Sequence, residues 1–383
     1  MKLSLFAKNS PSYFFANYLK KVKKYKQEKG IKVTDLTVGS PTYPPSKKYL
    51  KKLQELIFDE KNYLYPGYSG DKQLKIALSF WYQKRFNVFL DENCFLPVLG
   101  GKDAISHLPL LVLDKDDKIL VPNPGYPGFF GTVPFFYGKV VFYSLFEKDD
   151  FLIDFSYLEK LIDKKTKAIF VNYPANPTGV NATKEFLEKL VDFCLEKDLF
   201  LFYDNAYSEI YFDNQKKPPS IFEIEGAKKV ALEIGSFSKT FSFAGLRIGW
   251  IAAEKEVISN FLKIKSQFDS GVPLIFQKLA SFALKNFDEE WYQKMISFYK
   301  NQCDYLVSFF RKIGLEVKLP LAGLYLWIKI PKDFTNGLTF AQYFLEKYQI
   351  AVTPGEAFGS EGEKYIRVSF SGKIDNNLKI KNI

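Results

Sequence analysis

Residues 199–239, LFLFYDNAYSEIYFDNQKKPPSIFEIEGAKKVALEIGSFSK, hold two apolar runs that end in unusual residues. The run L-F-L-F-Y (199–203) stops at Asp204, and V-A-L-E-I (230–234) ends in small hydroxyl residues followed by Lys239. Upstream, K-I-L-V (118–121) runs into P-N-P-G-Y-P and A-I-F-V-N-Y (168–173) runs into P-A-N-P-T-G. Helix-like segments, notably 156–162 and 183–197, separate these runs. Apolar strands alternating with helices predict an α/β fold whose mostly parallel sheet is covered on both faces. Ligands bind such sheets beyond the carboxyl ends of the strands. Tyr126, Asn176, Asp204 and Ser236 are therefore expected along one edge.

Lys239 is followed by seven uncharged residues, T-F-S-F-A-G-L, and then by Arg247. A lysine in such surroundings can be desolvated, which lowers its pKa and frees the amine to attack carbonyls. The alternative is a helix N-terminus that happens to carry a lysine. Gly100-Gly101-Lys102, between a strand and a helix, leaves backbone N–H groups free to seat a phosphate. Ser236 and Ser238 add hydroxyl donors, and Arg247 can pair bidentately with a dianion or form a structural salt bridge. Asp204 follows five apolar residues, so it should be buried and should need a positive partner. A protonated pyridine nitrogen would serve. Asn176 and Tyr207 can reach a phenolic oxygen on the same ring, and Tyr126, in a rigid P-G-Y-P turn, can lie flat against it. Together these groups describe a site for pyridoxal 5'-phosphate.

Either side of this region the texture differs. The N-terminal part predicts an amphipathic helix over 12–29, a short strand K-V-T-D-L-T-V-G (32–39), helices over 46–60 and 74–86, and a strand-to-helix passage over 96–108. Beyond about residue 254, long amphipathic helices (254–268, 273–286, 288–312) precede strands expected at 315–319, 324–330, 350–354 and 365–370. This is the pattern of a smaller α+β lobe. The expected division is 1–45 as an N-terminal arm and part of the small domain, 46–275 as the large domain and 276–383 as the small domain.

The 383 residues are 47% hydrophobic and 17% aromatic, which fits packed cores and excludes disorder. The formal net charge of +11 is spread along amphipathic helices and mixed with acids, so it reads as solvated faces, with no nucleic-acid partner expected. No apolar run approaches the roughly 18 residues of a membrane span, and the N-terminus lacks a signal-peptide pattern. A cytoplasmic protein without a membrane partner is expected. Cys94, Cys194 and Cys303 are odd in number and widely spaced, so they read as reduced thiols and no metal site is expected. His107, the only histidine, sits on an apolar helical segment as a core or interface residue.

From about Leu36 to Phe370 the chain closely resembles the class I/II aminotransferases, pyridoxal-phosphate enzymes of fold type I. The resemblance rests on N-P-T-G (176–179), Y-D-N-A-Y (203–207), S-F-S-K (236–239), A-G-L-R-I-G (244–249) and Y-I-R-V-S (365–369). It implies a large domain with a mostly parallel seven-stranded sheet between helices, plus a smaller α+β domain. It also implies that Lys239 is the Schiff-base lysine, that Asp204 pairs with the pyridine nitrogen, and that Asn176 and Tyr207 bond the ring oxygen. Gly101, Lys102, Ser236, Ser238 and Arg247 would hold the phosphate, and Tyr126 would stack on the ring. Tyr65, in Y-P-G-Y-S-G, corresponds to a tyrosine that reaches the phosphate of the second copy in a homodimer. Arg367 matches the arginine that grips the substrate α-carboxylate, beside the backbone N–H of Gly39.

One local departure is Gly101, where many relatives carry serine. Gly39-Ser40-Pro41, Y-P-G-Y-S-G, G-G-K-D-A-I-S-H-L and F-D-S-G-V-P together look most like the branch containing LL-diaminopimelate aminotransferases. That branch also holds enzymes for aspartate, alanine and aromatic amino acids. The expected partners are thus an amino acid and a 2-oxo acid. Specificity is expected from segments near Ser10–Phe15, Tyr65–Ser69, Ser266–Gly271 and Gly323–Tyr325. A C–S β-lyase or a cyclopropane-forming synthase on the same fold is the nearer rival. An effector-sensing regulator is the more distant one, because only about 35 residues precede the first shared motif.

Overall fold

The computed structural model describes residues 2–4, 7–8 and 14–374. Residues 10–13, part of the segments expected above, lie outside the described residues. After a two-residue strand β1 (Thr34–Asp35), the chain builds a sheet from β2 (Phe95–Val98), β3 (Lys118–Asn123), β4 (Lys139–Ser144), β5 (Thr166–Asn172), β6 (Phe200–Asp204), β7 (Ala231–Ser236) and β8 (Gly249–Ala252). Its order is β2-β8-β7-β6-β5-β3-β4, seven strands in all. Every pairing from β4 to β7 is parallel, and β8 runs antiparallel to both of its neighbours.

The apolar runs are continuous because both sheet faces are covered. In β5, Ile169 and Val171 pack in the larger core, while Ala168 and Phe170 pack in a second core. In β6 the same alternation sends Leu201 and Tyr203 one way and Phe202 the other. The period of two is present, but burial on both sides erases it from the hydropathy pattern.

From β3 the chain steps outward to β4, returns to the other side of β3 as β5, and continues through β6 and β7. The direction of winding therefore reverses between β3 and β5. A crevice opens at such a reversal, at the carboxyl ends of the strands.

The remaining strands are β9 (Tyr325–Lys329), β10 (Ile350–Ala351), β11 (Thr353–Pro354) and β12 (Tyr365–Ser369). β11, β12 and β9 form a three-stranded antiparallel sheet, and β10 pairs in parallel with β1. Through that pairing, residues near the start of the chain run beside the C-terminal sheet, where the Ser369 N–H donates to Leu36 O at 2.8 Å. The helices start at side-chain caps. Ser46 accepts from the N–H of Lys48, Asp71 from that of Leu74, Thr183 from that of Phe186 and Asp288 from that of Trp291.

Some expectations require correction. L-E-V-K-L (315–319) forms no strand. Leu315 and Val317 are buried, and the Val317 carbonyl accepts from the Arg311 guanidinium at 2.7 Å, so the alternation reflects one-sided burial without a ladder partner. The segment 350–354 splits between two sheets, and the helix expected over 254–268 ends at Lys265. β4, an edge strand with exposed positions, and β8 were both absent from the expected strands.

At the β7–β8 pairing Gly235 faces Trp250, and a Cβ there would lie 2.1 Å from the indole ring. Gly235→Val overpacks this contact. A loss of about 1–3 kcal/mol is expected in urea unfolding of the variant.

Candidate active site

A cavity of about 530 Å³ lies at the carboxyl edge of the sheet. Its walls include Tyr126 after β3, Asn176 after β5, Asp204 and Tyr207 at the end of β6, and Ser236, Ser238 and Lys239 at the end of β7. Gly101 and Lys102 enter from the helix Gly101–His107, Arg247 from the turn before β8, and Arg367 from β12. Thr37–Ser40 closes another side. Among the charged lining residues are four cations and one acid, Asp204, so the cavity favours anions.

Asp204 is buried between β5 and β7, in register with Asn172 and Ile234. Its Oδ1 accepts the N–H of Ala206 at 3.1 Å. Burial pushes its carboxyl up to about 7, against the opposing effects of the Ala206 N–H and Lys239. A cation set against this carboxylate would restore its ionisation.

Lys239 stands on the short helical turn Phe237–Thr240, capped by Ser236, whose Oγ accepts the Ser238 N–H at 3.1 Å. Phe237 anchors the turn from beneath, with its ring against Phe241 and Trp250. The Lys239 amine therefore points into the cavity, where Nζ donates to Gly39 O at 2.7 Å. Burial lowers its pKa to about 8, and Arg367 and Arg247 push the same way while Asp204 opposes them. At pH 7 about one amine in ten is then neutral.

Lys102 and Arg247 form the cationic end. Burial, and secondly Arg247, lowers the Lys102 pKa. Arg247 occupies the left-handed region at φ 54° and donates to Ala244 O at 3.0 Å and Leu99 O at 3.3 Å. Among the described residues no carboxylate pairs with it, so the structural salt bridge weighed above is not formed. Gly100, at φ 85°, lets the guanidinium approach, since a Cβ there would sit 2.7 Å from Nη2. Two cations and the N-terminal turn of the helix thus face one end of the cavity, as binding of a dianion requires.

Arg367 is 3% exposed. Its Nη1 donates to Asn176 Oδ1 at 2.8 Å and its Nη2 to Thr37 O at 2.7 Å. The rings of Tyr325, Phe358 and Phe15 lie 4.3, 4.7 and 5.3 Å from the guanidinium carbon and fix its plane. Asn176 is itself held, because its N–H donates to Asn172 Oδ1 at 2.8 Å. Tyr207 and Tyr325 share a hydroxyl contact of 2.8 Å, and burial raises the Tyr207 pKa well above its ordinary value. The whole can seat a tetrahedral dianion at the Lys102–Arg247 end and a basic ring nitrogen beside Asp204. It presents an amine to a carbonyl between them and a forked cation to a carboxylate beyond.

Of the residues singled out from sequence, Gly39, Gly101, Lys102, Tyr126, Asn176, Asp204, Tyr207, Ser236, Ser238, Lys239, Arg247 and Arg367 all line this cavity. Tyr65 does not: it is 88% exposed on the surface of its own chain. His107 stands behind the cationic end, with Nδ1 3.1 Å from Asp103 Oδ1. Asn172 was not anticipated, although a polar residue closing an apolar strand was a visible signal. Tyr325 was expected only as part of a specificity segment. Among the described residues, no group of His, Cys, Asp and Glu could hold a metal ion, and no helix is long and apolar enough to cross a membrane.

Residues 31–380 match the family model described as aminotransferase class I and II. A curated LL-diaminopimelate aminotransferase from Aquifex aeolicus is 37% identical over 97% of this chain and 97% of its own. The apo structure of BacF from Bacillus subtilis is 30% identical, covering 97% of this chain and 95% of its own, with a TM-score of 0.91. A Thermus thermophilus aspartate aminotransferase double mutant is 23% identical, covers 97% of this chain and 96% of its own, and shares the fold at a TM-score of 0.90.

The electrostatics of Lys239 set a pH dependence. A lysine with a depressed pKa is neutral above it, so the amine should react with a soluble aldehyde at a rate that rises with pH through about 8 and then levels. Reductive trapping followed by peptide mapping measures that profile. A midpoint near that of free lysine would contradict the desolvated amine.

Proposed function

The chain belongs to the class I and II aminotransferases, and from that premise we propose that its cavity holds pyridoxal 5'-phosphate and that the residues above perform the transfer. Aminotransferases of this family move an amino group between an amino acid and a 2-oxo acid. The observation that carries the assignment is the pairing of Lys239, its pKa lowered to about 8, with the buried Asp204 in one cavity. A buried acid, an amine of lowered basicity and a cationic end fit that cofactor's ring nitrogen, aldehyde and phosphate.

When bound, pyridoxal phosphate supplies an aldehyde carbon and an electron-withdrawing ring. Lys102, Arg247, Ser236, Ser238 and the Gly101 N–H hold the phosphate dianion. Tyr126 would hold one face of the ring. Asp204 keeps a proton on the ring nitrogen, which preserves its electron demand. Tyr207 and Asn176 bond the ring oxygen. Arg367 takes the substrate α-carboxylate in its fork, with Gly39 beside it, and so orients the Cα–H bond. Lys239 would hold the cofactor between turnovers, and its amine, when free, would carry the proton from substrate Cα. The acid–base and tethering roles require the same low pKa.

The LL-diaminopimelate aminotransferase relatives support a donor of that class, with aspartate as the next choice. The experiment is a half-reaction with donor alone, across LL-diaminopimelate, aspartate, glutamate, alanine and phenylalanine. An aminotransferase releases one equivalent of 2-oxo acid per site and stops until a 2-oxo acid is added. Continuous release of ammonia and pyruvate would instead mark a lyase. Lys239→Ala should lose roughly 10²–10⁴ in rate or more. It should also bind the cofactor without the absorbance of a lysine-tethered form. Turnover near the wild-type rate would overturn the assignment.

Two copies are inferred to pair through the exposed apolar segment around Tyr65. Phe58, Tyr63, Leu64 and Tyr65 are 80, 68, 68 and 88% exposed, a density of apolar surface that marks an interaction site. In the pair, Tyr65 of each copy would reach the phosphate end of the other's cavity. Sedimentation equilibrium should give a dimer, and Tyr65→Phe should weaken cofactor affinity. A fully active monomer would refute the pairing.

A further inference from the structure

Behind the cationic end lies a buried charge cluster that the mechanism does not use. Lys265, at the end of the helix Lys255–Lys265, is 3% exposed. Its Nζ lies 2.8 Å from Asp103 Oδ2 and also pairs with Asp269. Asp103 is in the first turn of the helix Gly101–His107, directly after Lys102, and its Oδ2 accepts the Leu99 N–H at 2.8 Å. The Leu99 carbonyl, in turn, accepts from Arg247. One carboxylate thus braces both the strand-to-helix passage and the carbonyl that receives the arginine.

The other limb runs outward. Asp269 Oδ1 accepts the Gly271 N–H at 2.8 Å, shaping the turn 269–271. Gly271 packs on the chain that carries Tyr65: a Cβ there would sit 2.6 Å from Gly67 O and 3.3 Å from Pro66. His107 closes the cluster, with its ring 4.4 Å from that of Phe268. A buried ammonium held by two half-buried carboxylates makes a stiff joint, because loss of the cation would leave two acids facing each other with little water to screen them.

We propose that Lys265 is a positioning residue for the phosphate end of the cavity, fixing the Leu99–Lys102 passage through Asp103 and the Pro66–Gly67 turn through Asp269. The proposal rests on the cofactor reading above. By this joint, the phosphate seat of a chain and the turn bearing its own Tyr65 are set together. Residues that orient metal ligands from behind change affinity by about 10- to 100-fold when replaced, and an effect of that order is expected of a residue that orients a phosphate seat.

The test uses the full-length protein freed of cofactor and titrated separately with pyridoxal 5'-phosphate and with pyridoxal, which lacks the phosphate. Wild type should prefer the phosphorylated form strongly; no preference would overturn the cofactor reading and this proposal with it. Lys265→Met should bind pyridoxal 5'-phosphate at least tenfold more weakly while its affinity for pyridoxal stays within about twofold. Equal weakening toward both ligands would indicate general loosening and overturn the positioning role, as would unchanged affinity for both. If Lys265→Met does not fold, Asp103→Asn, which removes the charge and keeps the shape, should show the same phosphate-selective loss. Its absence would equally overturn the proposal.

Discussion

A carboxylate held out of water at the end of β6 is the constraint around which the site is arranged. Asp204 is flanked by β5 and β7 and accepts one backbone N–H from Ala206, which is little compensation for an ionised acid. Its carboxyl is consequently pushed up to about 7. A parallel sheet covered on both faces makes such burial possible, since its central strands end beneath their loops rather than in solvent. The unmet demand for positive charge gives the cavity its direction. A ligand with a basic nitrogen relieves it, and a carbonyl elsewhere on that ligand then comes within the domain of Lys239.

The opposite imbalance exists at the rim. Lys102, Lys239, Arg247 and Arg367 share one cavity with a single acid, and after burial the arginines disfavour charge on the lysines, Arg247 on both and Arg367 on Lys239. The effect is visible at Lys239, whose amine loses basicity to burial first and to the two arginines second. The arginines cannot yield a proton and so retain their charge. Aromatic rings hold Arg367 in plane, and backbone carbonyls hold Arg247. The same cations that prepare the cavity for anions thus prepare the lysine as a nucleophile.

Two remote parts of the chain complete this arrangement. The β1–β10 pairing draws Thr37–Ser40 beside β12, so that Thr37 O receives Arg367 and Gly39 O receives Lys239. The Lys265 cluster ties the other flank, from the passage at Leu99 to the turn at Gly271. Both are fixed by polar groups buried with their partners, which makes them intolerant of partial loss.

The sequence by itself determined four of the central strands, β3, β5, β6 and β7, because their apolar runs are buried on both faces and stop at polar or turn residues; β4, an edge strand with exposed positions, left no such run, and β8 was absent from the expected strands. It also carried every charged residue of the cavity, since a lysine without charged neighbours and an acid after five apolar residues are local features. Arg247 was read less well: its apolar neighbours gave no sign that it would stand exposed on a turn and bond to carbonyls. The strand expected at 315–319 was lost for a related reason, since alternation records which side is buried and not whether a neighbouring strand exists. Asn172 reaches the Asp204 carbonyl 32 residues on, Tyr325 meets Tyr207 from 118 residues away, and Asp103 meets Lys265 from 162 residues away (265 − 103). Only the tertiary structure decided those contacts. A hydrogen bond or ion pair between distant segments depends on where two elements cross, and nothing in the local sequence of either encodes that meeting.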